Sequence, residues 1–159
     1  GYVLRDDGIW MWIGRRSIDK IHEPGMLDQI VAGGLPHGLS LDENLRKECQ
    51  EEAGISAELA SSAVPVGTVT YERQITRGLK PDTLFCYDLE LPENFQPVCQ
   101  DGEVDEFMLL PLDEVIALVR DTNEFKLNCN LVIIDFLIRH GLISPEEPDY
   151  QQLVNGLHQ

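Results

Sequence analysis

Between Gly33 and Ile55 the chain reads GGLPHGLSLDENLRKECQEEAGI, and this stretch constrains the rest more than any other. Ser40 can cap a helix, Glu43 three residues later completes a capping box, and Gly54 can close it, so a helix is expected from Ser40 to Ala53. At 100° per residue, Glu48, Glu51 and Glu52 fall within about a third of a turn of one another. Leu41, Leu45, Cys49 and Ala53 recur every fourth residue and form an adjoining buried stripe. Carboxylates crowded beside a core-facing stripe repel one another, and partial burial adds to the cost. A hard divalent cation such as Mg²⁺ removes that cost, because it prefers carboxylate oxygens and bridges to phosphates. A solvated acidic helix face is the plainer alternative that charge alone leaves open.

The spacing goes further than the charge. Gly33, Glu48, Glu51, Glu52, Gly54 and Ile55 stand in register with the Nudix box, which the segment resembles, with Cys49 as its small apolar member. The resemblance implies an α/β fold, a Nudix α/β/α sandwich with a mixed β-sheet and a loop–helix–loop motif. It also implies hydrolysis of a pyrophosphate linkage, with Mg²⁺ (or Mn²⁺) held by Glu48, Glu51 and Glu52 together with Gly33. Two positions depart from the pattern: Leu39 replaces the first glutamate and Lys47 the arginine. In the family those side chains chiefly form a structural ion pair. Their joint loss is coherent, since an unpartnered buried Arg is costly whereas Lys can extend its ammonium to water. A non-catalytic Nudix ligand-binding module is the alternative these departures raise.

The remaining chain supplies a matching scaffold. Tyr2–Leu4 and Ile9–Ile13 flank Asp6-Asp7-Gly8 as a hairpin. Leu27–Val31, Val66–Gln74, Thr83–Leu91 and Val104–Leu110 read as further strands, with a loop around Arg77, Gly78 and Pro81. Leu112–Arg120 and Leu127–His140 read as helices, and a last segment runs from Ser144-Pro145 to Leu157. The 159 residues fit one domain, 1–159, and the abrupt start on GYVLRDDG suggests the C-terminal part of a longer chain. With 12 Lys plus Arg against 28 Asp plus Glu, the formal charge is −16, which argues against nucleic acid or membrane as partner. Cysteines at 49, 86, 99 and 129 form no CxxC pair and read as reduced thiols, hence a cytoplasmic setting. An organelle is the alternative if the parent chain carries a transit peptide.

Other segments narrow the resemblance. AGGLPHGLSLDENLRKECQEEAGI, TYERQITRGLKPDTLFCYDLELPENFQP, DGEVDEF, EFKLNCNLVIIDFLIRHG and PDYQQL together look like the thiamine-pyrophosphokinase-related Nudix proteins. That subgroup often carries KEC-x-EEA in the box, so Lys47 fits it. The likeness implies cleavage of thiamine diphosphate, or of its oxidised, damaged analogues, to the monophosphate and phosphate. Another nucleoside or isoprenoid diphosphate is the alternative substrate, and a homodimer, common in the family, is a further expectation. Glu48 itself, or Glu103 or Glu106 from DGEVDEF, would orient or deprotonate the attacking water, Asp105 being set aside if it points the other way on its strand. Glu48, Glu52, Glu103 and Glu106 are thus the catalytic candidates. Arg15, Arg16, Arg73 and Arg77 are candidates for gripping phosphate oxygens, and Trp12 and Tyr71 for stacking on the substrate ring. Each also has a plain structural reading, as surface charge for the arginines and as core for the aromatics.

Overall fold

The computed structural model describes residues 1–76 and 78–158. Its strands are β1 (Tyr2–Arg5), β2 (Gly8–Arg16), β3 (Leu27–Gln29), β4 (Val64–Ile75), β5 (Gly78–Asp88) and β6 (Val104–Pro111). Its helices are α1 (Leu41–Ala53), α2 (Ala57–Ala60), α3 (Leu112–Asp121), α4 (Leu127–Arg139) and α5 (Tyr150–Leu157). The chain separates into two compact units, one of Gly1–Val64 with Asp88–Lys126, the other of Pro65–Tyr87 with Leu127–Gln159.

In the first unit β2 is the common partner of β1, β3 and β6, and all three ladders are antiparallel. Among the described residues of this unit, parallel pairing is confined to isolated bridges, Tyr2 with Glu90 and Leu27 with Phe125, outside the strand ladders. The hairpin forms as expected, but Arg5 pairs with Gly8, leaving Asp6-Asp7 as the two-residue turn and Gly8 (φ 130°) as the first strand residue. β2 runs on through Arg15 and Arg16, past the expected end at Ile13. β3 stops at Gln29, short of the expected Val31, because the chain leaves the ladder and the Ala32 amide donates to Glu52 Oε2 at 2.7 Å. Trp12, Ile30, Cys49, Ala53, Ile55, Leu89 and Leu91 build the core on the α1 side of this sheet.

Helix α1 has both expected caps. Glu43 N donates to Ser40 Oγ and Ser40 N to Glu43 Oε2. At the other end Gly54 lies at φ 65°, with the Ile55 amide donating back to Cys49 O. The apolar stripe is buried toward that end, at Cys49 and Ala53, while Leu41 is exposed near the N-terminus. Helix α2, a single turn capped by Ser56, was not expected; four residues carry too little periodicity to register.

The second unit contains the β4–β5 two-stranded sheet and α4 with α5. Val69, Cys86 and Leu157 are buried among Leu131, Val132, Ile134 and Ile138 of α4. β5 begins at Gly78, not at Thr83, so Pro81 sits inside a strand. Both strands of a two-stranded sheet are edges, where a missing N–H is tolerated. Among the described residues no helix is long and apolar enough to cross a membrane.

Gly54 joins a left-handed backbone to a close approach: a Cβ there would lie 3.1 Å from Val98 O. Gly54→Ala should therefore cost about 1–2 kcal/mol, read by urea unfolding followed through Trp10 and Trp12 fluorescence. An unchanged midpoint would show that the helix end relaxes without strain.

Candidate active site

The glutamates of α1 are arranged unequally. Glu52 is 7% exposed, and its carboxylate accepts a hydrogen bond from the Ala32 amide. Burial, partly offset by that hydrogen bond and reinforced by the charges of Glu48, Asp28 and Glu103, pushes its carboxyl up to about 7. Glu48 is largely covered and lies directly across Gly33, where a Cβ would collide with its carboxylate carbon at 2.1 Å. A side chain at position 33 would therefore have to push Glu48 aside, so the placement of Glu48 depends on glycine there. Glu51 is half-exposed, and the Lys47 ammonium lies between it and Glu48, at 2.7 Å from Glu51 Oε2 and 3.1 Å from Glu48 Oε1. One turn before Glu48, Asn44 is buried, and its Oδ1 accepts no hydrogen bond among the described residues.

The neighbouring buried carboxylate, Asp28, is treated in the opposite way. Its Oδ2 receives both Arg16 Nη1 and Lys126 Nζ at 2.9 Å, two cations on one oxygen. Such pairing compensates burial, whereas Glu52 has no cationic partner among the described residues. A buried acid with a raised proton affinity beside a second carboxylate is a mark of a functional position.

The two distal acids separate. Glu103, just before β6, pairs with Lys20, and its charge acts on Glu52. Glu106 faces Arg15 across the β2–β6 ladder, 3.5 Å from Arg15 Nε to Oε2. Trp12 pairs with Leu109 and Gly14 with Phe107, and these side chains pack toward Cys49 and Ala53 of α1. Alternation therefore puts Glu106 on the sheet face away from α1. Glu106, named with Glu103 as a candidate acid, is therefore turned away from the helix that carries the glutamates. Arg16 pairs with Val104, so Asp105 is an extra residue that breaks the register, and its carboxylate caps the Ile18 amide.

The candidate substrate contacts are also redistributed. Arg16 donates to the carbonyls of Glu23 and His22 as well as to Asp28, so its fork is spent holding the loop after β2. Arg15 donates to Gly25 O. Trp12 is a core residue at 5% exposed, and its ring presents no face for stacking. In the second unit the Tyr71 hydroxyl donates to Asp82 at 2.8 Å and accepts from Asn128, and Arg73 is an electrostatic neighbour of both Tyr71 and Asp82. Arg77 lies outside the described residues.

No three His, Cys, Asp or Glu side chains among the described residues converge as a ready metal cluster. The donor set nevertheless suits a hard divalent ion. Two carboxylates already share one cation, a third is buried without one, and a loop shaped around Glu48 lies beside them.

Chelator-treated protein offers a direct check of the Glu52 environment. A carboxyl raised to about 7 from its ordinary value near 4.5 contributes stability that is fully present below 4.5 and is lost as pH rises through 7. Glu52→Gln should therefore be the more stable protein at pH 8, by roughly 3 kcal/mol at most, with the difference vanishing near pH 5. Parallel urea curves for the two proteins at both pH values would contradict a buried, unpaired carboxyl.

The NUDIX domain model matches residues 1–129. Nudix hydrolase 24, chloroplastic, of Arabidopsis thaliana is 57% identical over 157 residues, covering 99% of this chain and 43% of the relative. Nudix hydrolase 20, chloroplastic, of the same plant is 55% identical over 157 residues, covering 99% and 42%. The chain thus spans less than half the length of these relatives. Among solved structures, the NUDIX domain of Shewanella oneidensis NrtR, in complex with ADP ribose, superposes with a TM-score of 0.63 at 15% identity over 89% of this chain and 83% of that one. DR0079 from Deinococcus radiodurans gives 0.62 at 18%, over 83% and 76%. These likenesses carry the fold, an α/β NUDIX sandwich, and with the domain match they settle the kinship: the chain belongs to the NUDIX domain family.

Proposed function

We propose that the chain is a metal-dependent pyrophosphohydrolase that cleaves a phosphoanhydride bond of a small diphosphate. The observation that carries this reading is the pair of covered carboxylates, Glu48 fitted over Gly33 and Glu52 buried without a cation. Glu48, Glu51 and Glu52, with the Gly33 backbone, would hold Mg²⁺ or Mn²⁺. When bound, the ion neutralises charge on the diphosphate and lowers the pKa of a water. The chain's own part is to keep Glu48 and Glu52 fixed on a capped helix and to bring Glu103 near them as the acid that orients or accepts a proton from the attacking water. That water attacks phosphorus, the bridging P–O bond breaks, and the products are a monophosphate and inorganic phosphate. Glu106, on the far face and paired with Arg15, takes no part in activating the water in this reading.

Within that class we infer thiamine diphosphate or its oxidised analogues as substrate, supported by the KEC-x-EEA box and the four other segments that resemble the thiamine-related subgroup. Both plant relatives carry "chloroplastic" in their names, which favours the organelle alternative over the cytoplasm.

Phosphate release across thiamine diphosphate, its oxo and oxy analogues, ADP-ribose and an isoprenoid diphosphate, with Mg²⁺ and with chelator, tests the reading. Highest kcat/KM on the thiamine compounds is expected. Preference for another diphosphate would keep the chemistry and replace the substrate, and ligand-dependent stabilisation without turnover would make the chain a binding module. Glu52→Gln should reduce turnover by about three orders of magnitude with the fold intact; full activity in that variant would sink the assignment. Gly33→Ala should fold normally, since the colliding atoms end a flexible side chain, yet lose about 10–100-fold in kcat by displacing Glu48.

A further inference from the structure

Lys47 stands beside the candidate metal ligands without being one. Its ammonium bridges Glu48 Oε1 and Glu51 Oε2, touching two carboxylates from successive turns of α1. A guanidinium, planar and forked, favours two-point binding to a single carboxylate; an ammonium is a compact point charge that two acids can share. Its side chain is 43% exposed, so the stem can swing to water with little loss of packing. Glu52 lies outside this arrangement, its carboxylate turned to the Ala32 amide.

We propose that Lys47 is a tethered counter-ion occupying the place of a divalent cation between Glu48 and Glu51, so that metal binding in this chain is an exchange of the ammonium for the ion. The proposal rests on the reading of Glu48 and Glu51 as metal ligands. Its consequence is a metal-free site that is held together by an internal ion pair and an affinity for the metal that is lowered by the same interaction. Lys20 on Glu103 and Lys126 on Asp28 repeat the pattern, so each of the three acids whose charge acts on Glu52 carries a lysine.

Mn²⁺ titration of the full chain, followed by calorimetry and by the electron spin signal of free Mn²⁺, separates the outcomes. Lys47→Gln should bind Mn²⁺ about three- to tenfold more tightly than the unsubstituted chain at low salt, and the gap should narrow in about 0.5 M KCl, roughly three times physiological ionic strength. Lys47→Arg, which keeps the charge, should remain weak. In chelator Lys47→Gln should melt lower than the unsubstituted chain, and Mn²⁺ should raise its Tm by more. Equal or weaker Mn²⁺ binding by a folded Lys47→Gln would overturn the exchange and leave Lys47 as a residue that merely positions Glu48. Mn²⁺ binding by none of the proteins would overturn the metal reading and the exchange together.

Discussion

The site depends on the burial of one carboxylate that no cation among the described residues compensates. Glu52 enters the interior of its unit on the last turn of α1, next to Ala53 and the following Ile55 of the core, so it cannot withdraw without unpacking that core. Its contact with the Ala32 amide is also what takes the chain out of the β3 ladder and leads it into the Gly33 loop. The loop then closes over Glu48, and only a residue without a Cβ lets it do so. One buried acid thereby fixes the end of a strand, the path of a loop and the placement of a second acid.

Asp28 shows that this is a choice and not a tolerance of the fold. A few residues before the same loop, it is as buried as Glu52, yet it has two cations on one oxygen. Removing either partner would leave a costly charge inside, so Asp28 with Arg16 and Lys126 reads as a pin for the β2–β3 edge. Glu52 lacks such partners among the described residues, and that difference, more than its acidity, supports the ligand role proposed for it. The contrast also explains why Arg16 is a poor phosphate contact: its donors are already engaged by Asp28 and by the loop carbonyls of His22 and Glu23.

The local signals in the sequence were the ones with short-range causes. Ser40, Glu43 and Gly54 act within one turn of α1, and the hairpin at Asp6-Asp7 is closed by immediate neighbours, so both could be read from spacing. Gly33 and the three glutamates were legible as a register. What was not legible depends on partners far along the chain. The face on which Glu106 projects is set by the register of β6 against β2, and the extra residue at Asp105 shifts that register in a way that DGEVDEF does not announce. Trp12 looked equally suited to core or stacking, because a strand aromatic is decided by which face the sheet buries, and α1 covers that face here. Arg16 could not be separated from Arg15 until Asp28, twelve residues on, was seen to claim it.

The replacement of the box arginine by Lys47 takes on a physical meaning in this setting. The family's brace joins the loop to the helix through the first glutamate, and with Leu39 in that place the brace has no partner. In this chain Leu39 is at the surface, and the loop is tied down from the other side, by Glu48 over Gly33 and Glu52 on Ala32. A cation at position 47 is then released from bracing and falls to the nearest uncompensated charge, which Glu48 and Glu51 supply one and four positions along the helix. The two departures from the pattern are therefore one change: the anchoring of the loop has passed from an ion pair to the candidate ligands themselves. Loop order and ligand placement are coupled here as they would not be with a separate brace, since whatever draws Glu48 or Glu52 out of position also frees the loop.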